Sequence, residues 1–131
     1  MTVQRVPKPW GYELIWAHTP QYAGKILSIR AGCRLSLQLH ERKQESMYLL
    51  NGRLEVEIET EAGQRCHYRV LPGETLFIPA GCRHRLHALT ACRVLEVSTA
   101  ELDDIVRLND DYGRCDPPGA NPQQGAPDGA P

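Results

Sequence analysis

Four residues of this 131-residue chain combine metal-binding side chains with orderly spacing: Gln38, His40, Glu45 and His84. Five residues separate Gly32 from Gln38, one separates Gln38 from His40, four lead on to Glu45 and six more to Gly52. Further along, Gly73 is followed by five residues, then Pro79, Ala80, Gly81, two residues and His84. Two imidazole nitrogens, an amide oxygen and a carboxylate form a borderline donor set suited to one divalent ion, Zn, Mn, Fe, Co or Ni. Four protein ligands leave one or two exchangeable positions on a five- or six-coordinate ion, where a water or substrate oxygen can bind. Taken singly, His40 or His84 reads as a hydrogen-bonded histidine and Glu45 as a solvated loop charge. The case for metal rests on their joint spacing.

The surrounding elements must bring these residues together. From residue 11 to 99 the chain reads as short β-rich segments divided by turn signals at Asn51-Gly52, Ala62-Gly63, Pro72-Gly73 and Pro79-Ala80-Gly81, the pattern of a sandwich or barrel. Expected strands are Gly11 to Ala17, Gly24 to Arg30, Arg34 to His40, Ser46 to Leu50, Arg53 to Glu59, Arg65 to Val70, Thr75 to Ile78, Arg83 to Ala88 and Cys92 to Ser98. Alternation with period two places Gln38 and His40 on one face of their strand, and Leu35, Leu37 and Leu39 on the other. That leucine row would need cover from a second sheet or a partner subunit, so a homodimer is expected. Residues 41–44 turn the chain so that Glu45 returns on a neighbouring strand, and His84 arrives from a different hairpin. The same parity turns His87 away from His84. His18 and His67 lie outside the spaced set and receive no role.

After Ser98 the pattern changes. Ser98-Thr99-Ala100-Glu101 has the form of a capping box, which predicts a short C-terminal helix of about two turns over Leu102 to Leu108. Residues 116–131 carry five prolines and three glycines and lack the apolar content to fold alone. The expected organisation is one domain over residues 1–114 and a flexible Pro/Gly-rich tail over 115–131.

Composition narrows the function classes. With 41% hydrophobic and 24% charged residues and a formal net charge of -1, no global field points to nucleic acid or a membrane surface, and neither is expected as a partner. The N-terminal residues lack the apolar run of a secretory signal, so a cytoplasmic protein is expected. Five scattered cysteines, Cys33, Cys66, Cys82, Cys92 and Cys115, are odd in number and never spaced Cys-x-x-Cys, which disfavours disulfides and thiolate zinc. Cys82, two residues before His84, is the one whose thiol could be accessible.

The two spaced segments resemble the paired motifs of the cupin superfamily, with Gln38 at a position usually held by His and Ala88 where the second motif ends in Asn. The resemblance implies an all-β fold, a single jelly-roll barrel with the metal inside. Gln38 within Leu35-Ser36-Leu37-Gln38-Leu39-His40 is similar more narrowly to the C-terminal cupin domain of type II mannose-6-phosphate isomerase/mannose-1-phosphate guanylyltransferase. Lys8-Pro9-Trp10-Gly11-Tyr12-Glu13, Asp103-Asp104-Ile105-Val106-Arg107 and Asp111-Tyr112-Gly113-Arg114 extend the similarity over about residues 7 to 114. Where that family carries His-His-Arg-Ala, this chain has Glu41-Arg42-Lys43-Gln44, and Ser46-Met47 replaces the usual His-Trp.

The resemblance implies aldose–ketose isomerisation of a small phosphosugar through an enediol, with a metal ion polarising the C1 and C2 oxygens. Lys43, Lys25 and Glu13 are the candidate catalytic residues; Arg34, Tyr12 and Trp10 are candidates for substrate binding. Glu41 and Glu96 are further candidates for the base. Two other readings stay open: a metal-containing carbohydrate-binding or regulatory cupin without turnover, and an iron-dependent dioxygenase.

Overall fold

The structure, a computed structural model, describes residues 2–115. Eleven strands account for its regular structure: β1 (Gln4–Lys8), β2 (Gly11–His18), β3 (Ala23–Ile29), β4 (Leu37–Leu39), β5 (Glu45–Asn51), β6 (Leu54–Glu59), β7 (Arg65–Val70), β8 (Thr75–Ile78), β9 (His84–Ala88), β10 (Cys92–Ser98) and β11 (Val106–Asn109). They form a six-stranded sheet, β1-β2-β3-β10-β5-β8, and a five-stranded sheet, β11-β4-β9-β6-β7. All pairings are antiparallel. The two sheets are the layers of the expected jelly roll.

Alternation decides what each strand turns inward. Inward positions are Leu27 and Ile29 on β3, Met47 and Leu49 on β5, Leu54 and Val56 on β6, Leu86 and Ala88 on β9, and Cys92 and Val94 on β10. Together with Trp10, Leu35 and Val70 they form one apolar cluster, each buried Leu, Ile or Val contributing about 1.5–3 kcal/mol. The same strands end in polar residues on the same face. Lys25 continues the inward row of β3, Glu45 that of β5, His84 that of β9 and Glu96 that of β10, and all four are buried. The barrel therefore has an apolar floor and a polar upper chamber.

Three sequence expectations are corrected here. Leu102 to Leu108 is not a helix: residues 102 and 103 turn, and Val106–Asn109 is the edge strand β11, with Val106 opposite Leu39 and Arg107 opposite Gln38. The backbone of β4 needs that partner, and the pairing overrides the local capping signal. Strand β1 lies outside the expected set and contains Pro7; as the edge of its sheet it tolerates a residue that cannot donate. Arg34 to His40 is regular only over Leu37–Leu39, so the phase slips upstream. Leu35 joins the core while Leu37 and Leu39 are half-buried, and the leucine row that suggested a partner subunit is not continuous.

Gly11, at the turn between β1 and β2, has φ +153°, and a Cβ there would run into the Ser28 carbonyl on β3. The close approach of these strands requires glycine. The tail assigned to 115–131 lies outside the described residues from position 116 onward.

Of two aspartates after β11, Asp111 ties this segment to the barrel through Arg34 and Arg85, and Asp110 braces it internally against Arg114. Burial would raise the Asp110 carboxyl, but Arg114, donating from its backbone and guanidinium at 2.6–3.1 Å, pulls it below the ordinary value. Asp111 is lowered first by Arg34, at 2.6 and 2.9 Å, and also by Arg85. A carboxyl depressed in the folded state stabilises fully above its unfolded value, about 3.9, and loses that contribution as pH falls through the folded value. The urea midpoint should therefore fall between pH 6 and pH 3. In an Asp110→Asn/Asp111→Asn variant it should start lower at pH 6 and change less; an unchanged pH profile would exclude these aspartates as the cause.

Candidate metal centre

His40 follows β4, Glu45 opens β5 and His84 opens β9. The cluster thus draws one carboxylate from the six-stranded sheet and two imidazoles from the five-stranded sheet. Their ligand atoms all lie within 4.8 Å of one another, and all three residues are buried. Glu45 Oε1 stands 3.2 Å from His84 Nε2 and 3.5 Å from His40 Nε2. The rings are tilted at 48° with centroids 5.2 Å apart.

The opposite edge of each ring fixes its tautomer. His40 Nδ1 meets the Asp104 carbonyl at 2.6 Å, and His84 Nδ1 meets the Cys82 carbonyl at 2.9 Å. A carbonyl only accepts, so each Nδ1 carries the proton, and in the neutral ring each Nε2 presents a lone pair. Two lone pairs and a carboxylate then face one another with no proton between them. Consistently, buried His84 Nε2 makes no hydrogen bond although Glu45 is 3.2 Å away. An arrangement of converging acceptors, with both imidazoles oriented by backbone carbonyls, is the donor set of a cation and fits a divalent metal ion. Gln38 is buried, pairs in register with His84 across β4 and β9, and lines the same chamber.

Beside the cluster lies a chain of buried charge. Lys43 Nζ is 3.2 Å from Glu45 Oε2 and 3.7 Å from Glu96 Oε2, and Lys25 Nζ is 3.3 Å from Glu13 Oε1. Burial alone would push the Glu45 carboxyl up, but hydrogen bonds donated by His40 and His84 when their Nε2 atoms are protonated, together with the Lys43 ammonium, hold it well below the usual carboxylate range. Glu96 behaves oppositely. Burial, reinforced by the Glu45 charge, raises it to about 8 despite Lys43 and Lys25. Two glutamates flanking one ammonium therefore have contrasting environments, one kept anionic and one able to exchange a proton near neutral pH.

These groups line a cavity of about 460 Å³, within the range of small-molecule sites. Its wall includes all three proposed catalytic residues, Glu13, Lys25 and Lys43, as well as Gln38, His40, Glu45 and Glu96. His84 adjoins it through Glu45. The proposed substrate-binding set is not brought in. Tyr12 is on the opposite face of β2 from Glu13 and Ile15, where Arg5 stacks on its ring at 3.8 Å. Trp10 is packed in the core. Arg34, displaced by the slip before β4, pairs with Asp111 away from the cavity. Glu41 is exposed.

The cavity also contains residues that the sequence reading did not select: Lys8 and Gln4 on β1, His18, Asp103 and Arg107. Asp103 and Arg107 stood within a segment already noted for its resemblance, but an expected helix gave them no inward direction. Burial raises the Cys82 thiol, with Glu59 adding to the effect, so it is not an activated nucleophile.

The family model described as mannose-6-phosphate isomerase C-terminal matches residues 1–110. The chain belongs to this family. Among its relatives, mannose-1-phosphate guanylyltransferase of Klebsiella pneumoniae is 26% identical over 117 residues, covering 86% of this chain and 24% of that protein. The guanylyltransferase ManC of Salmonella typhimurium is 32% identical over 118 residues, covering 85% and 23% respectively. The chain spans about a quarter of the length of these relatives. Oxalate decarboxylase from Bacillus subtilis shares the fold, with TM-score 0.73 at 20% identity over 81% of this chain and 30% of that one. KdgF from Halomonas sp. aligns with TM-score 0.66 at 27% identity over 79% and 89%. The family match spans the strands of the barrel and both segments that build the cluster.

Proposed function

We propose that the protein is a metal-dependent aldose–ketose isomerase acting on a sugar phosphate of the mannose 6-phosphate kind. The observation carrying this reading is the pairing of a metal-type donor cluster with Lys43 and the high-lying Glu96 in one cavity. Charge supports it. The cavity wall holds four cations, Lys8, Lys25, Lys43 and Arg107, and four carboxylates, Glu13, Glu45, Glu96 and Asp103. With Glu96 raised to about 8 and so largely protonated at neutral pH, adding a divalent ion leaves a positive excess that a phosphate dianion would offset.

Gln38, His40, Glu45 and His84 would hold the ion. When bound, it would polarise the C1 and C2 oxygens of the sugar. In its ionised form Glu96, whose Oε2 is buried and without a hydrogen bond in the structure, takes the C2 proton. It returns that proton to C1 while O1 gains a proton and O2 gives one up, converting the aldose through an enediol to the ketose. Lys43 places its ammonium beside the charge that develops on these oxygens. Lys25 holds Glu13 in the wall, where it can accept from sugar hydroxyls.

The test is exchange of the C2 proton of mannose 6-phosphate and related phosphosugars in deuterated water, with the chain loaded with Mn, Zn, Fe, Co or Ni. Metal-dependent exchange supports the proposal. Saturable binding with no exchange across the panel would replace it with a carbohydrate-binding role, a reading favoured by the salt bridges that restrain Lys43 on both sides.

A further inference from the structure

Residues 99–107 pass across the loop that joins His40 to Glu45, and one side chain makes most of the connection. Asp104 Oδ2 accepts hydrogen bonds from the backbone N–H groups of Arg42 at 2.7 Å and Lys43 at 2.8 Å, while Oδ1 accepts from Glu41 at 3.0 Å. Three consecutive N–H groups thus converge on one carboxylate, the geometry of a backbone anion nest filled by the protein itself. The carbonyl of the same residue accepts from His40 Nδ1. Thr99 fastens the far end of the loop, accepting from Gln44 N at 3.2 Å and donating its own N–H to the Gln44 carbonyl at 3.1 Å.

We infer that Asp104 is a positioning residue for the metal centre, setting through one side chain both the His40 ring and the path of the loop bearing Lys43 and Glu45. Its carboxylate fixes where residue 104 lies relative to the loop. That placement sets the carbonyl that holds His40 with Nδ1 protonated and Nε2 free to ligate. The adjoining Leu102, Asp103, Ile105 and Arg107 line the cavity, so the same anchor fixes one cavity wall relative to the ligands. The inference rests on the metal reading of the cluster, and its test separates the two.

The experiment titrates Co²⁺ into the full chain and into Asp104→Ala, Asp104→Asn and Asp111→Ala variants, following the cobalt absorption bands. It also records long-range ¹H–¹⁵N spectra of the His40 ring without metal. Asp111 is the control because it, too, anchors a loop, through Arg34 and Arg85, but away from the cavity. The expected result is a ten- to hundredfold loss of Co²⁺ affinity in Asp104→Ala. Asp104→Asn, which keeps one acceptor oxygen, should show a smaller loss, and Asp111→Ala a change within twofold. The metal-free His40 ring should shift from the Nδ1–H tautomer toward a mixture in Asp104→Ala. Affinity within twofold of the parent together with an unchanged tautomer would overturn the inference. If the parent chain binds no Co²⁺, the metal reading fails, and the tautomer of His40 still decides the role of Asp104.

Discussion

A Glu45→Gln variant should bind Mn²⁺ or Zn²⁺ more than about a hundredfold more weakly than the parent chain, exceeding the effect typical of residues that only support a ligand. The side chain keeps its shape, so the change isolates the charge. Glu45 is the one carboxylate of the proposed ligand set, and both Nε2 atoms face it, at 3.2 and 3.5 Å. With an amide there, the NH₂ group can donate to an imidazole lone pair and close the cluster without a cation. Calorimetric titration of the metal alone, with circular dichroism to verify the fold, measures the effect. Affinity within threefold of the parent would remove Glu45 from the ligand set.

The second large effect concerns Lys43. Its ammonium is buried between Glu45 and Glu96, and Lys43→Met leaves two neighbouring carboxyls without their shared cation. Removing one partner of a buried ion pair costs about 3–5 kcal/mol, and urea denaturation of the metal-free chain should show a loss of that order. Protonation of Glu96 limits the damage, because that group already titrates near 8. A divalent ion should restore part of the lost stability by supplying positive charge next to Glu45, and phosphosugar proton exchange should stay abolished. Lys43→Arg, which keeps the charge, should retain most of the stability. A loss below about 1 kcal/mol in Lys43→Met would mean that the carboxylates do not depend on this cation.

How far the sequence foretold these features depends on whether a strand stays regular. Arg65–Val70, Thr75–Ile78 and Cys92–Ser98 occur where β-rich composition between turn signals placed them. His40, Glu45 and His84 converge as their spacing implied. Parity arguments failed where the chain leaves the pleat. Arg34 shares a strand with Gln38 only on paper, because residues between them depart from regular pairing, and its side chain ends beside Asp111. The helix expected after Ser98 illustrates a different failure, since the need of β4 for an edge partner cannot be seen in the local residues. Glu96, already a candidate base, follows Cys92 and Val94 on the inward face of β10 as parity implies, whereas its place opposite Lys25 comes from the pairing of β10 with β3, which parity does not reveal.

Because the carboxylate of the centre belongs to one sheet and its two imidazoles to the other, an ion held there would be a rivet through both layers. Its binding energy would then resist every motion that parts them. The chain would melt at a temperature set by the free ion concentration, gaining about 2.7 kcal/mol of stability at a hundred times the dissociation constant. Slow amide exchange would spread from β5 and β9 outward as the ion is added. In that sense the site proposed to prepare a sugar for reaction would also serve as a clamp on the breathing of the barrel, and chelation would loosen the protein.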